Sequence, residues 1–373
     1  MEVLYKYLLE ITWQQVVMWG IGGILIFLAI AKKMEPSLLL PMGFGAILVN
    51  LPFSGAVTQG DTHGPLDVLF SAGIDNGEIF LLLLFIGIGA MIDFGPLLSN
   101  PKLMIFGAAA QFGIFFTLGL ASFLGFDIKD AASISIIGAA DGPTAIFVAN
   151  HFGTKYIGAI MVAAYSYMAL VPMIQPPVIK LLTTKKERKI RMVYAPGHVS
   201  KLTKILFPII ITVVAGIVSP SSVALIGFLM FGNLLRECGV LNSLSETAQN
   251  VLANLVTIIL GITISSQMRA EDFLTLETII IILLGLVAFI FDTVGGVLIA
   301  KLFNIFRKEK INPMIGAAGI SAFPMSARVI NKMGLEEDNQ NFLLMHAVGV
   351  NVSGQIASVI AGGLIISLLD KVV

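Results

Sequence analysis

Long apolar runs separated by short polar loops dominate the chain. A run of about 20 apolar residues can cross the hydrocarbon core of a bilayer as a helix. The first run is followed by Lys32 and Lys33 rather than by a small-residue cleavage site, so it is interpreted as a span and not as a cleavable signal. The pattern predicts ten transmembrane helices, at Trp13–Ala31, Pro36–Pro52, Ile79–Leu98, Leu103–Leu124, Lys155–Leu182, Leu202–Val218, Pro220–Leu235, Leu244–Gln267, Leu274–Leu302 and Asn341–Leu369.

Two further apolar segments are interrupted by glycine and proline. They are Ile128–Asn150 and Ile311–Lys332. Each is predicted to be a re-entrant hairpin, which dips into the membrane and returns to the same side. Non-helical backbone at that depth has to be satisfied by neighbouring protein, water or a bound ion.

Composition supports an all-α integral membrane protein. Apolar residues make up 57% of the chain and charged residues 12%, whereas a soluble domain carries about 25% charged residues. The net charge of zero gives no reason to expect a nucleic-acid partner. The single cysteine, Cys238, cannot form an internal disulfide, and with four scattered histidines it gives no zinc or iron–sulfur pattern.

Basic residues predict the orientation. If the hairpins do not cross, one side collects most of them, and the positive-inside rule makes that side cytoplasmic and both termini external. The cytoplasmic set is Lys32, Lys33, Lys102, the run 185–191, Arg236, Lys301, Arg307, Lys308 and Lys310; the external set is Lys6, Lys129, Lys155, Arg269 and Lys371. The run 185–191 is interpreted as a solvated loop, with docking of a partner or of lipid headgroups as the alternative.

A weak internal repeat divides the chain into halves. Residues 35–44 resemble 219–228, and Gly-Ala-Ala-Asp at 138–141 resembles Gly-Ala-Ala-Gly at 316–319. Each half then holds five spans and one hairpin, and an odd number of spans inverts the second half, as in secondary transporters. The predicted organisation is a first repeat at 1–183, a cytoplasmic basic linker at 184–200 and a second repeat at 201–373.

The first hairpin carries a carboxylate in an apolar context. Asp141 stands in Gly-Ala-Ala-Asp-Gly-Pro-Thr at 138–144. A carboxylate at membrane depth is costly and normally faces a cavity or a partner, so it is interpreted as a cation ligand, with a polar plug as the alternative. On the following span, Tyr167 is open between core packing and a role in the site, and Tyr165 is interpreted as a packing residue.

The second hairpin supplies neutral polar groups and one cation. Arg328 is interpreted either as a fork for an anionic group arriving from the cytoplasm or as a side chain that snorkels to the surface. Asn351, in the last span, is open between interhelical contact and a ligand role. Asp93 and Asp292 are interpreted as capping or anchoring residues near span ends. One carboxylate among neutral oxygens suits a hard cation, and a monovalent ion such as Na⁺ fits the single charge.

Four sequence motifs resemble those of a known protein family. GAADGPTAIF (138–147), AAYSYMALVPMIQPP (163–177), NPMIGAAGISAFPMSAR (312–328) and HAVGVNVSGQIAS (346–358) closely resemble the β subunit of the biotin-dependent, sodium-pumping decarboxylases. The resemblance implies a bacterial inner-membrane enzyme subunit that decarboxylates carboxybiotin, consumes an external proton and exports Na⁺. It also implies three partners, a biotin carrier protein, a carboxyltransferase α subunit and a small membrane-anchoring subunit, as well as a homo-oligomer. The Ala-Met-Lys-Met motif that carries covalent biotin is absent here.

The resemblance also implies roles for individual residues. It assigns Na⁺ coordination to Asp141, Tyr167, Asn312, Gly316, Ser321 and Asn351, and a catalytic role to Tyr167 in sodium or proton handling. Arg328 matches the arginine implicated in carboxybiotin binding, and so is the second catalytic candidate. The alternative function is a secondary Na⁺/H⁺ or Na⁺/anion transporter with no enzymatic partner, which the inverted repeat fits equally well.

Overall fold

The computed structural model describes residues 9–193, 197 and 199–371, and helices account for most of that part of the chain. Lys6 and parts of the predicted linker and of both repeat ends therefore lie outside the described residues. The α-helices are, in chain order, α1 (Trp13–Ala31), α2 (Pro36–Val49), α3 (Pro65–Phe70), α4 (Ile79–Met91), α5 (Gly95–Ser99), α6 (Met104–Ala109), α7 (Phe112–Phe123), α8 (Ile128–Ser135), α9 (Gly142–Phe152), α10 (Ile157–Leu182), α11 (Lys185–Arg188), α12 (Lys201–Val218), α13 (Val223–Glu237), α14 (Asn242–Glu246), α15 (Ala253–Ile264), α16 (Ala270–Phe273), α17 (Leu276–Phe306), α18 (Met325–Glu337) and α19 (Leu344–Leu369). Tighter 3₁₀ turns occupy Pro101–Leu103, Ile136–Ala139, Pro220–Ser222, Ser265–Gln267 and Pro313–Gly319, and π turns occupy Ser71–Asp75 and Thr247–Leu252.

Seven helical segments of the described chain are long and apolar enough to cross a membrane. They are Trp13–Ala31, Pro101–Phe123, Ile157–Leu182, Lys201–Val218, Asn242–Gln267, Leu276–Phe306 and Leu344–Leu369. A pair of helices at Pro65–Asp75 and Ile79–Met91, bent by 64°, would make an eighth span. The protein is therefore an all-helical, multi-pass membrane protein.

The predicted count of ten spans is not reached by helix length. Helices α2, α4 and α13, which correspond to three of the predicted spans, have 14, 13 and 15 residues. At about 1.5 Å per residue, such helices are about 20 Å long and fall short of a hydrocarbon core of about 30 Å. The apolar runs are longer than these helices because apolar residues beyond the helix ends, such as Ile92 and Phe94 after α4, extend them.

The most buried helices form the centre of the molecule. In the most apolar 18-residue stretch of each span, 67% of the residues are buried in α19 and only 11% in α12. The outer face of α12 exposes Leu202, Ile210 and Ile217. Because exposed apolar side chains at these positions suit lipid rather than water, α12 lies at the periphery and α19 lies in the core.

The first predicted hairpin is a broken helix, as the sequence indicated. Helix α8 tightens into the 3₁₀ turn Ile136–Ala139, and Ala140 then adopts a left-handed conformation (φ 51°) that stops it. Helix α9 restarts at Gly142, with Pro143 in its first turn, where the missing N–H of proline costs no hydrogen bond. The segment from Ala131 to Ala149 is buried.

The second predicted hairpin is broken in a different way. The 3₁₀ turn Pro313–Gly319 ends in the extended residue Ile320, and α18 begins at Met325. A side chain at Gly316 would collide with the carbonyl oxygen of Gly296 on α17, and one at Gly296 would collide with that of Gly316. The two backbones therefore touch, which only glycine allows.

The basic run 185–191 corrects an expectation. Although Lys185, Lys186 and Lys189 are exposed, Arg188 is buried, with its Nε 2.6 Å from Glu337 Oε1 at the end of α18. Arg188 also donates to the Thr183 carbonyl (2.5 Å). Arg191 Nε lies 2.6 Å from Asp338 Oδ2. The described part of the run is thus not simply a solvated loop, because two arginines hold it against the second half of the chain.

Candidate functional site

The Asp141 carboxylate sits at the start of α9 and is almost fully buried. Its Oδ2 accepts a hydrogen bond from the Thr144 hydroxyl (2.8 Å), and its Oδ1 accepts a long one from the Thr144 N–H (3.4 Å). This is an N-cap arrangement, and the positive end of the helix dipole favours a negative charge there. The break in the hairpin therefore creates an electrostatic position for a carboxylate inside the membrane protein.

Helix α19 completes the surroundings of Asp141. Gln355 Nε2 donates to Asp141 Oδ2 at 3.0 Å, and Ser358 Oγ donates to the same oxygen at 2.8 Å. Oδ2 is thus saturated with donors, whereas Oδ1 holds only the long contact and keeps lone pairs available. A cation at Oδ1 would find one formal charge and the neutral hydroxyl oxygens of Thr144 and Ser358 close by.

The donor set limits the kind of ion. Within the described ranges, no three histidine, cysteine, aspartate or glutamate side chains come together as metal ligands do. A site with one carboxylate and neutral oxygens suits a hard monovalent ion and does not suit a transition metal. The sequence prediction of an oxygen-only site around Asp141 is consistent with this geometry.

Gln355, Ser358 and Thr144 were missed as site residues by sequence reasoning. Thr144 stands three residues after Asp141, at the position where N-cap partners occur. Asn351, Gln355 and Ser358 are spaced four and three residues apart on α19, so they share one face of the helix. That spacing was a signal, but it could be used only once α19 was known to pack against the first hairpin.

The second hairpin meets the first one at its tip. The backbone N–H of Ser321 donates to the Ala139 carbonyl at 2.9 Å. The Ser321 hydroxyl donates to the Gly354 carbonyl on α19 at 3.0 Å. Asn351 donates to the carbonyls of Ala318 (3.1 Å) and Ile320 (2.7 Å). One face of α19 therefore contacts both broken segments. Asn351 binds the second segment, and Gln355 and Ser358 bind the first.

Asn351 also carries an unused oxygen. Its Oδ1 is buried and has no hydrogen-bond partner in the part of the chain that the structure describes. Since both Nδ2 donors are engaged, the orientation of the amide is defined by its partners. A buried acceptor without a donor is unusual, and it is the chemistry that a cation ligand requires.

Asn312 and Gly316 lie at the entrance of the second hairpin rather than at its tip. Asn312 caps the 3₁₀ turn through Oδ1 (Met314 N, 3.1 Å) and donates from Nδ2 to the carbonyls of Arg188 (2.8 Å) and Ile190 (3.0 Å). Gly316 touches Gly296. In this conformation both residues fasten the hairpin to its surroundings, and their predicted role as sodium ligands stays a prediction.

The two tyrosines of α10 lie in different surroundings. The Tyr167 hydroxyl donates to the Ile282 carbonyl on α17, and its ring stacks against Phe289. The Tyr165 ring instead lies directly against Gly142, next to Asp141, leaving no room there for a side chain. Its buried hydroxyl has no partner among the described residues. Tyr165, interpreted from sequence as packing, is therefore the tyrosine that touches the peptide after Asp141.

Arg328 lies apart from this cluster, in the first turn of α18. Its side chain is exposed. Burial raises the pKa of Glu35, in the loop after α1, and the nearby Arg328 guanidinium partly opposes that rise. Glu35 follows Lys32 and Lys33, which the charge pattern places on the cytoplasmic side. The structure thus gives Arg328 an accessible position near residues predicted to be cytoplasmic.

A basic cavity opens near the second hairpin. Its volume is about 480 Å³, and it reaches Ile315 in the 3₁₀ turn. Lys102, Arg191, Arg307 and Lys310 line it against a single acid, Glu309. Arg328 does not line it, so the predicted cytoplasmic face carries basic groups at two separate places.

These features define a class before they define a family. Seven apolar spans in the described part of the chain, two buried broken helices, and a carboxylate buried between the first of these and α19 are features of multi-pass membrane proteins that bind a small ion within the bilayer. Residues 14–369 match the family described as the Na⁺-transporting oxaloacetate decarboxylase beta subunit. The chain belongs to this family, whose members are membrane subunits that couple decarboxylation to sodium export.

Individual relatives act on different acids, by their names. The chain is 51% identical to the glutaconyl-CoA decarboxylase subunit beta of Acidaminococcus fermentans, over 96% of this chain and 94% of that protein. It is 50% identical to the methylmalonyl-CoA decarboxylase subunit beta of Veillonella parvula, over 97% and 95%. It is 46% identical to a probable oxaloacetate decarboxylase beta chain of Vibrio cholerae, over 96% of each. The relatives are bacterial membrane subunits, in agreement with the predicted location.

Proposed function

We propose that this subunit removes CO₂ from carboxybiotin, takes up a proton from outside the cell and uses the reaction to export Na⁺. Family membership supports the coupling of decarboxylation to sodium transport. The observation that carries the sodium site is the Asp141 carboxylate, buried between Thr144, Gln355 and Ser358 with Oδ1 lightly engaged. The Na⁺ ion is cargo, so its ligands must release it as well as bind it.

The proposed path crosses the membrane at the junction of the hairpins. We infer ten crossings, in which apolar residues beyond the ends of α2, α4 and α13 complete the shorter spans. We also infer two re-entrant hairpins that enter from opposite sides, in two inverted repeats. The contact between Ser321 and Ala139 supports this arrangement, because hairpins from opposite sides would meet at their tips. Single cysteines at Lys129 and Lys310, in a chain with Cys238 replaced, should react with an impermeant maleimide from outside and inside respectively. Labelling of both positions from one side would refute the inversion.

Arg328 is proposed to hold the carboxylate of carboxybiotin. A guanidinium offers two parallel donors to a carboxylate, and the exposed position of Arg328 lets a tethered donor reach it. In the reaction the bond between the ureido nitrogen and the carboxylate carbon breaks, CO₂ leaves, and its bonding electrons remain on nitrogen, which takes up the proton. A pocket that excludes water favours the loss of CO₂, since the charge of the carboxylate is then poorly solvated.

Coupling requires that the two ligands prefer different conformations. A ligand shifts a conformational equilibrium only by the difference in its affinity for the two states. The direct link between the hairpins and their shared attachment to α19 support a unit that can move as one. We propose that carboxybiotin at the cytoplasmic side and Na⁺ at Asp141 favour different positions of this unit.

The proposed partners follow from the family and not from the fold. A separate biotin carrier protein presents carboxybiotin, a carboxyltransferase α subunit loads it, and a small subunit anchors the complex; the membrane subunit itself forms a homo-oligomer.

The alignment with the A. fermentans subunit runs over 358 residues and that with the V. cholerae chain over 417. Since each covers 96% of this chain, the second alignment contains longer insertions, which favours a CoA ester as the acid that the complex decarboxylates.

The test is sodium transport driven by the carboxylated donor. In proteoliposomes that contain the purified subunit, free carboxybiotin should drive uptake of radioactive Na⁺ with release of CO₂. The same liposomes given a sodium or pH gradient alone should show little uptake. Transport that runs on gradients and ignores carboxybiotin would instead favour the alternative, a plain secondary transporter.

A further inference from the structure

A second buried carboxylate faces the first hairpin. Asp292 lies midway along the 31-residue helix α17 and is fully buried. Sequence analysis placed it near a span end as a capping or anchoring residue; the capping is confirmed, and the position is wrong. Its Oδ1 accepts hydrogen bonds from the N–H groups of Gly113 (2.5 Å) and Ile114 (3.2 Å), at the start of α7.

The other oxygen of this carboxyl group is unexplained by capping. Asp292 Oδ2 has no hydrogen-bond partner among residues 9–193, 197 and 199–371. It points toward Gly138, where an added Cβ would lie 2.9 Å from it, and the same Cβ would lie 2.6 Å from that of Ala288. Gly138 belongs to the 3₁₀ turn of the first hairpin, three residues before Asp141. The unpartnered oxygen therefore faces the backbone segment that carries Asp141, the proposed sodium ligand.

A cap needs only one acceptor, and an asparagine, serine or threonine would provide it. A carboxylate adds a negative charge, and an ionised oxygen held against apolar groups without a donor is costly. A proton on Oδ2 removes the charge, which is the larger part of that cost, and leaves the cap at Oδ1 intact. A cation such as Na⁺ would need several further oxygens, and Gly138 and Ala288 offer no side-chain oxygen.

We propose that Asp292 is a proton-binding site of this protein, with the proton held on Oδ2 against Gly138 of the first hairpin. Protonated Asp292 lets Gly138 approach closely, whereas ionised Asp292 needs a donor in the same place and pushes the hairpin away. By linkage, the proton and Na⁺ at Asp141 then change each other's affinity by the same factor. The inference rests on the proposed function, in which a proton enters from outside, and it names a residue that binds it.

Few other ionisable groups face this position. Helices α7, α8 and α10, the turn of the first hairpin, and α6 and the 3₁₀ turn of the second hairpin pack against α17. Of these, α10 brings Tyr165, whose ring lies against Gly142, and Lys180 in its last turn. It also brings Tyr167, whose ring lies against Gly285 and Phe289 on α17. Helix α8 brings Lys129 and Asp130 in its first turn. The turn Ile136–Ala139, α6 and α7 contribute no ionisable side chain in their described residues. A proton at Asp292 is thus a local event rather than part of a charged network.

Asp292→Asn separates the proton site from the cap. The amide keeps an oxygen for Gly113 and Ile114 and presents a neutral group to Gly138, so it imitates the protonated acid. Infrared spectra of the full chain in nanodiscs should show the carbonyl stretch of a protonated buried carboxylic acid, and Asp292→Asn should remove it. Asp93→Asn, a change of a part-exposed aspartate, should leave it. If Asp292→Asn leaves that band unchanged, Asp292 does not hold the proton, and the proposal is overturned.

Sodium binding supplies the second readout. Asp292→Asn should bind Na⁺ and should lose a pH-dependent change in Na⁺ affinity of about fivefold or more. Wild-type pH dependence in Asp292→Asn, with a fold destabilised only in Asp292→Ala, would show that Asp292 is a cap and nothing else. Should the wild-type chain bind no Na⁺ while the infrared band still depends on Asp292, the proposed sodium function fails and the proton site stands.

Discussion

The backbone N–H of Ser321 donates a hydrogen bond to the Ala139 carbonyl at 2.9 Å, and so joins the tips of two broken segments far apart in the chain. Ala139 is two residues before Asp141, and Ser321 also binds Gly354 on α19 through its hydroxyl. A displacement of either hairpin must therefore break this bond or carry the other hairpin with it. The arrangement ties the proposed sodium ligand to the segment that leads to Arg328.

Asp141→Asn is expected to weaken specific Na⁺ binding strongly. The amide is nearly the same size as the carboxylate, but it lacks the charge that offsets the desolvation of the ion. Loss of a charge-assisted contact of about 1.5–3 kcal/mol corresponds to a roughly ten- to hundredfold weaker affinity. Sodium-dependent thermal stabilisation of the purified subunit measures it. Wild-type sodium dependence in this variant would refute the assignment, and Asp93→Asn is the matched control.

Ser358→Ala is expected to weaken Na⁺ binding more mildly. The Ser358 hydroxyl holds Asp141 Oδ2 at 2.8 Å, so its loss leaves the carboxylate less well positioned. A neutral hydrogen bond contributes about 0.5–1.5 kcal/mol, or roughly a two- to tenfold change in affinity. Ser367→Ala changes a serine on the same helix that bonds to Ser221 instead, and it should have no effect. Equal effects of the two variants would show that α19, rather than the site, is being perturbed.

Gly316→Ala is expected to destabilise the protein through a clash between two backbones. The new methyl group would overlap the carbonyl oxygen of Gly296, and a backbone atom in a packed helix has little room to give way. Overpacking of this kind costs about 1–3 kcal/mol. Thermal unfolding without Na⁺ measures the loss. Gly20→Ala is the control, because nothing lies within 4 Å of the added Cβ there. If Gly316→Ala unfolds like the wild type but binds no Na⁺, Gly316 acts in the site itself.

The stability that the ion pair between Arg188, in the basic run 185–191, and Glu337 contributes should depend on pH. The hydrogen bond from Arg188 lowers the pKa of Glu337 below its usual range. Because the folded pKa is lowered, the stabilisation is present above the unfolded pKa and is lost as pH falls through the folded one. Glu337→Gln should therefore be less stable than wild type at neutral pH and equally stable in acid. Glu336→Gln, at the exposed neighbouring position, should show no such difference; if it does, the effect is one of surface charge alone.

The first hairpin and its acid could be predicted because their signals are local. Glycine and proline on either side of Asp141 break the helix, and α8, the turn and α9 lie within the predicted range 128–150 apart from the last two residues of α9. The partners Gln355 and Ser358 could not be predicted in the same way. They reach Asp141 from positions 214 and 217 residues further along the chain, and no local pattern carries such a contact.

Span number and buried charge were harder to predict for physical reasons. Hydropathy measures the length of an apolar run, not where its helix ends, and so α2 and α4 were overestimated. Asp292 was assigned to a span end, whereas the structure places it midway along α17, with the start of α7 packed against it. The burial of Arg188 depends on Glu337, which is distant in sequence, so composition alone indicated a solvated run.

Arg328→Lys is expected to impair decarboxylation and to leave equilibrium Na⁺ affinity nearly unchanged. Arg328 is exposed at the start of α18, apart from the hydrogen bonds that surround Asp141. Lysine keeps the charge but loses the two parallel donors that match a carboxylate. Loss of that bidentate contact, about 1.5–3 kcal/mol, weakens apparent affinity for the carboxylated donor roughly ten- to hundredfold. Arg328→Ala should be more severely affected.

The matched control for Arg328 is Arg307, which lines the basic cavity beside the second hairpin. Release of CO₂ from free carboxybiotin and sodium-dependent thermal stability should be measured for the lysine and alanine variants of both arginines. If Arg307→Lys rather than Arg328→Lys raises the donor concentration that is needed, carboxybiotin binds in the cavity. If the Arg328 variants lose Na⁺ binding but keep donor affinity, Arg328 acts through the hairpins on the sodium site. Arg328 lies on the same broken segment as Ser321, which contacts the hairpin that carries Asp141, so a change at Arg328 could reach the sodium site through the backbone. A loss of donor affinity without a loss of Na⁺ binding is therefore the result that identifies Arg328 as the anion-binding residue.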